Sequence, residues 1–140
     1  SEKIKKSLVK SYTYSDTKKA LQADPPFAIE NYFAAGNMYS TAEDVLILNN
    51  ALFGNKILNE INTNKMLAIH EKLGYTAYGL WGSDGWGTFD EKFYYRTGQI
   101  MGAKANWIHT IKTDKTIIVL SNTDTVDLYE LSEKLYLKSK

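Results

Sequence analysis

Apolar positions in this chain follow a helical spacing over its middle third and a strand spacing after it. Ser40-Thr41-Ala42-Glu43 has the form of a capping box, and Val45, Leu48 and Leu52 follow on one face, so a helix is predicted there with Gly54 as its stop. A second helix is predicted from Asn59 to Lys72, ending at Gly74. Strands are predicted at Tyr75–Trp81, Phe93–Ile100, Ala105–Thr113 and Thr116–Asn122, with Gly82-Ser83-Asp84-Gly85 as a turn. Trp107, His109 and Ile111 fall on one face of their strand and Asn106, Ile108 and Thr110 on the other. Ile117–Leu120 is apolar on both faces, as in a covered central strand, and Thr113-Asp114 supplies the hairpin before it. A last helix is predicted to start near Asp124–Asp127, with Leu128, Leu131 and Leu135 as its stripe.

Before residue 31 the pattern fades. Tyr12 and Tyr14 alternate as in a short extended segment, and Pro25-Pro26 disfavours helix. The chain therefore divides into a connector (1–30), a helical part (31–74), an antiparallel sheet (75–123) and a C-terminal helix (124–140). Helices must cover the sheet, which makes the fold class α+β.

Composition narrows the function. At 140 residues the chain is a single domain or a fragment of a larger one. A net charge of +1 gives no footprint for nucleic acid. The lysines at 3, 5, 6 and 10 read as a solvated face. There is no cysteine, so disulfide and thiolate chemistry are excluded. No apolar run approaches the roughly 18 residues of a membrane span, and no signal-peptide pattern opens the chain. His70 and His109 have no partner at metal spacing, and no metal or cofactor is expected. The dense aromatic stretch Trp81, Trp86, Phe89, Phe93, Tyr94 and Tyr95 reads as core and strand packing.

Candidate chemistry lies in Tyr95-Arg96-Thr97-Gly98-Gln99-Ile100-Met101-Gly102. A basic residue followed by Thr and Gly on a strand resembles the third signature of the serine β-lactamase and penicillin-binding-protein family, usually Lys-Thr-Gly. Ala35-Gly36-Asn37-Met38-Tyr39-Ser40-Thr41-Ala42-Glu43-Asp44 resembles a segment of the class C β-lactamase-like group, which includes D-alanyl-D-alanine carboxypeptidases. Ala51–Leu58, Tyr78-Gly79-Leu80-Trp81 and Ile117–Asn122 resemble later segments in the same order. The resemblance implies the C-terminal part of a β-lactamase/transpeptidase-like fold, and a serine hydrolase acting on D-Ala-D-Ala peptides, β-lactams or esters outside the cytoplasm. It implies that Arg96 and Thr97 bind a substrate carboxylate, that Gly98 keeps the wall flat, and that the Gln99 backbone N–H is an oxyanion donor. Such a donor contributes roughly 3–4 kcal/mol in comparable sites. A guanidinium matches a carboxylate well but cannot relay a proton near neutral pH.

The family's nucleophile is the Ser of Ser-x-x-Lys, followed by Tyr-x-Asn or Ser-x-Asn. Ser7-Leu8-Val9-Lys10 and Ser15-Asp16-Thr17-Lys18 match the first only formally, too close to the segment at 35–44. No Tyr or Ser has Asn two residues later. The chain alone is therefore expected to be inactive, with a non-catalytic module that binds cell-wall peptide or a protein as the alternative. A peptide or β-lactam-like molecule is the expected partner once the full domain is restored. Because the family's sheet has further strands from the early part of the domain, an exposed sheet edge and a homodimer or element swap through it are expected.

Overall fold

The computed structural model describes residues 8–26 and 29–139. Two strands, β1 (Tyr12–Ser15) and β2 (Ala20–Ala23), form an antiparallel hairpin, so the extended segment at Tyr12 and Tyr14 is half of a sheet of its own. Lys19 turns it with a left-handed φ of 51°.

Helix α1 (Ala42–Phe53) is capped by Thr41, whose hydroxyl accepts from the Asp44 N–H at 3.1 Å. The capping pair thus sits one residue later than the spacing of Ser40 and Glu43 suggests. The left-handed residue after the helix is Asn55 (φ 58°), not Gly54. Helix α2 is shorter than predicted, Glu60–Met66, with Asn59 as its cap. It stops because Ile69 is drawn under Gly82 and His70 pairs with Thr76. A 3-10 turn at Glu71–Leu73 follows and closes at Gly74 (φ 76°).

The strand expected at Tyr75–Trp81 is not there. Left-handed Tyr75 and Gly79 fold that stretch into a tight loop, held by Ala77 N–H to the Leu80 carbonyl and Gly82 N–H to the Tyr75 carbonyl. Strand β3 is Trp81–Ser83, and the turn comes later, through Gly85 and Gly87. β4 (Phe93–Ile100) has the bounds read from the sequence. β5 (Ala103–Thr110) ends earlier than expected, because the Glu91 carboxylate takes the Lys112 and Thr113 N–H groups into a loop. β6 is Thr116–Ser121. Helix α3 (Leu128–Lys138) starts at Asp127, whose carboxylate accepts from the N–H groups of Tyr129 and Glu130.

The main sheet runs β3-β4-β5-β6, antiparallel throughout. β6 is therefore the outer strand and not the central one, although α1 covers one of its faces and α3 the other. One core lies under α3, built from Phe89, Phe93, Ile108, Ile117 and Tyr136. A second lies on the α1 side around Leu52, Leu80 and Tyr94. The faces of β5 divide as the alternation predicts: Trp107 and His109 meet α1, while Asn106 and Ile108 meet α3. The helix stripes differ from the leucine count. α3 buries Leu128, Ser132 and Tyr136 and leaves Leu131 and Leu135 outside, and α1 buries Asn49 with Leu52 and leaves Leu48 outside. Polar positions at i, i+4 spacing are buried because they find partners. Asn49 accepts from Trp107 Nε1 at 2.9 Å and donates to Thr116 at 2.9 Å, and Ser132 accepts from Asn106 at 2.9 Å.

Candidate functional site

β3 covers only the Phe93–Tyr95 half of β4, so Arg96–Ile100 runs along an open sheet edge. The register with β5 fixes which backbone groups face that edge. The Ile111 N–H donates to the Lys92 carbonyl, so even-numbered β4 residues point at β5 by alternation. Thr97 and Gln99 then present their N–H and C=O groups outward, without partners among the described residues. The Gln99 N–H named from the sequence is among them.

Side chains alternate across the sheet. Arg96 lies opposite Trp107 on the α1 side, and its guanidinium carbon rests 4.7 Å from the Trp81 ring centroid. Trp81 is itself stacked on Tyr95 at 5.7 Å, so the cation is held on an aromatic shelf where β3 stops. Thr97 lies opposite Asn106 on the α3 side. Arg96 and Thr97 thus leave the strand on opposite faces, but the guanidinium reaches round the open edge to Trp81, which shares the face of Tyr95 and Thr97. A side chain built on Gly98 would meet nothing within 4 Å, so the strand is flat and open at that point.

The far end of this edge is pinned. Gln99 Nε2 donates to the Met101 carbonyl at 3.2 Å, and Met101 turns the hairpin at φ 50°. The Gly102 N–H donates to Asp24 Oδ2 at 3.0 Å, while Asp24 Oδ1 accepts from the Thr13 hydroxyl at 2.6 Å. Partial burial pushes the Asp24 carboxyl up, but hydrogen bonds from Ser11, Thr13 and Gly102 outweigh it and hold the pKa below the usual value. A Cβ on Gly102 would run into the Tyr12 backbone, so the β1–β2 hairpin sits directly on the turn that ends the edge.

No protein-family model matches the chain, and no curated protein matches it in sequence. Among solved structures it is similar to a penicillin binding protein from Bacillus halodurans, with a TM-score of 0.63 and 20% identity over 93% of this chain and 39% of that one. The fold is similar to that of part of this penicillin binding protein. The chain spans about two fifths of the length of that relative, and the likeness carries the fold without assigning a class within the group.

In this fold the formal Ser-x-x-Lys match at Ser15–Lys18 has no helix to stand on. Ser15 ends β1 and Lys18 lies in the turn after it, where Ser15 Oγ accepts from the Lys18 N–H at 3.2 Å; Ser7 lies outside the described residues. Ser83 closes β3 and accepts from the Gly85 N–H. His70 is exposed beside Tyr78, and His109 is buried against Phe53 at 3.8 Å, with Nδ1 3.0 Å from the Thr116 hydroxyl and Nε2 3.8 Å from the exposed Asp114 carboxylate. No group of three or more metal-ligating side chains is assembled among the described residues, and none of their helices is long and apolar enough to cross a membrane. Two features escaped the sequence reading. Stacking of Arg96 on Trp81 joins residues 15 positions apart, and the buried amide of Asn106 signals itself only as a polar residue alternating with Ile108.

Proposed function

We propose that this chain is the substrate-binding wall of an acyl-transfer site of the β-lactamase, DD-peptidase or esterase type, without its nucleophile, and is inactive alone. The observation that carries the reading is the open edge at Thr97–Gln99, with the N–H and C=O groups of Thr97 and Gln99 turned outward and a cation fixed beside it over Trp81. An extended acyl-amide pairs with such an edge as an added strand. Arg96, reaching round the edge to Trp81, then takes the substrate carboxylate together with Thr97, and the Gln99 N–H donates to the acyl oxygen. A family-like parent places this work at the cell surface. The second reading is a non-catalytic module that holds cell-wall peptide or a protein partner along the same open edge.

Two measurements test it. An intact-mass spectrum after incubation with benzylpenicillin and with an activated ester is expected to show no adduct; a covalent adduct would place a nucleophile within this chain and overturn the reading. Titration of the labelled chain with D-Ala-D-Ala is expected to shift the Thr97 and Gln99 amide signals, with the shift lost in Arg96→Ala. Shifts that survive Arg96→Ala would remove the carboxylate role.

A further inference from the structure

Past Tyr95, β4 is paired with β5 alone. Arg96, Thr97, Gly98 and Gln99 are all exposed, and none of them belongs to either core. The position of this stretch is therefore set at its two ends. At the near end Arg96 rests on Trp81. At the far end lies the turn at Met101 and Gly102, and that turn is strained on its own. Met101 holds a left-handed φ of 50°, a conformation that a residue with a Cβ disfavours. The glycine that would take it freely stands one position later. Gly102 answers a different need, since a Cβ there would overlap the Tyr12 carbonyl.

What holds this turn is the β1–β2 hairpin. Asp24, just past β2, turns one carboxylate oxygen to the Gly102 N–H at 3.0 Å and the other to the Thr13 hydroxyl at 2.6 Å. Its own N–H donates to the Ser11 carbonyl at 2.9 Å. β1 is in turn tied to the segment that leaves β6: the Tyr12 N–H donates to the Asn122 carbonyl at 2.8 Å, and the Tyr14 N–H to Asp124 Oδ1 at 2.9 Å. The hairpin thus straps the β4–β5 turn to the start of the β6–α3 connection. The partners of the Asp24 carboxylate are all neutral donors, on Ser11, Thr13 and Gly102, so the strap depends on geometry and not on an ion pair.

We propose that Asp24 is a positioning residue for the open edge: by fixing the turn at Met101 and Gly102 it sets where the Gln99 N–H points. Gln99 sits beside that turn, and its side-chain amide donates to the Met101 carbonyl at 3.2 Å, so a turn that shifts carries Gln99 with it. An oxyanion donor has to be held to within about 0.5 Å of its place, and a hydrogen bond weakens steeply as its angle closes. The functional meaning of this role rests on the acyl-transfer reading of the edge; the positioning itself belongs to the ligand-free chain.

Asp24→Ala, Asp24→Asn and Asp24→Glu in the labelled chain test it, first without ligand. Asp24→Ala is expected to move the backbone amide signals of Gln99 and Gly102 while leaving those of Phe93 and Tyr94 in place. Asn keeps an oxygen for the Gly102 N–H and turns its NH2 to the Thr13 hydroxyl, which can accept, so Asp24→Asn is expected to keep the Gln99 signal although the charge is gone. Glu keeps the charge but is a methylene longer, so Asp24→Glu is expected to displace Gln99, and it serves where Asp24→Ala does not fold. A contact that only adds stability lowers the urea midpoint of these variants and leaves the folded-state Gln99 signal where it was; that result would overturn the proposal. A Gln99 signal that moves in Asp24→Asn and stays in Asp24→Glu would overturn it too, since it follows charge and not position. D-Ala-D-Ala is then added. No response at Thr97 and Gln99 of the unsubstituted chain counts against the acyl-transfer reading and leaves the positioning role to be decided by the ligand-free spectra. Where the unsubstituted chain responds, Asp24→Ala is expected to bind severalfold more weakly and Asp24→Asn equally well; equal binding by Asp24→Ala would leave Asp24 without a role at the edge.

Discussion

Gly98 and Gly102 stand four positions apart on one hairpin, and the lack of a side chain does different work at each. Around Gly98 there is open space, so Gly98→Ala should leave the urea midpoint unchanged or slightly raised, since the unfolded chain loses freedom. The same change should block a ligand that lies flat on the strand, removing the D-Ala-D-Ala shifts at Thr97 and Gln99. At Gly102 a methyl group meets the Tyr12 backbone, which cannot yield without undocking the β1–β2 hairpin. Gly102→Ala is expected to cost about 3 kcal/mol or more in urea unfolding, at the upper end of ordinary substitutions. If Gly98→Ala destabilises as much as Gly102→Ala, the distinction fails. The sequence motif named both glycines but could not separate them, because one contact depends on a residue 90 positions away.

Among the elements, β4 was legible because its aromatic and β-branched residues sit between clear turn signals. The helix faces were not, because counting leucines assumes that burial follows hydrophobicity. In α1 and α3 the inward positions include Asn49 and Ser132, which bond to Trp107 and Asn106 on the sheet. Nothing local in the sequence announces those partners. The short α2 and the looped stretch at 75–80 share a cause, since both give way to pairing and packing around Gly82. Helix starts were closer. Thr41→Ala is expected to cost about 1 kcal/mol, whereas Ser40→Ala should fall within about 0.5 kcal/mol of no effect. Equal losses in thermal or urea unfolding would return the cap to Ser40.

For the molecule as a whole, buried His109 and the two carboxylates held low, Glu91 and Asp24, set its response to acid. Burial holds His109 below the ordinary imidazole value, against the opposing pull of Asp114 and Glu91. The unfolded chain therefore binds a proton that the folded chain refuses, and stability falls as the pH drops below about 6.5. Burial pushes Glu91 up, but bonds from the Thr113 hydroxyl and N–H, the Tyr136 hydroxyl and the Lys112 N–H leave its pKa below the ordinary carboxylate value. Its contribution is present above about pH 4.5 and is lost as the pH falls through the lower folded value. Urea midpoints taken from pH 7 to 3 should decline in two stages, and His109→Gln should remove the upper one. An unchanged upper stage in that variant would assign it elsewhere. At the same scale, β6 leaves the outward backbone groups of Thr116, Ile118 and Leu120 without partners among the described residues, with no charge along the strand. Light scattering at low micromolar concentration is expected to give a dimer, and Ile118→Pro, which removes only an outward N–H, a monomer. A monomeric unsubstituted chain would count against pairing through this edge. The open β4 edge was legible only as a motif, since register and the early end of β3 decide which groups it exposes.

The docking of the β1–β2 hairpin has a kinetic side. The Tyr14 N–H reaches Asp124 across 110 residues, and the Asn122 side chain reaches the Lys10 carbonyl across 112. Closing loops of that length costs chain entropy that only a finished sheet and a formed α3 start can repay. The hairpin should therefore be the last piece to arrive during folding and the first to detach, so that the Gly102 amide exchanges with solvent through that local opening while the amides of β5 wait for the whole molecule to unfold.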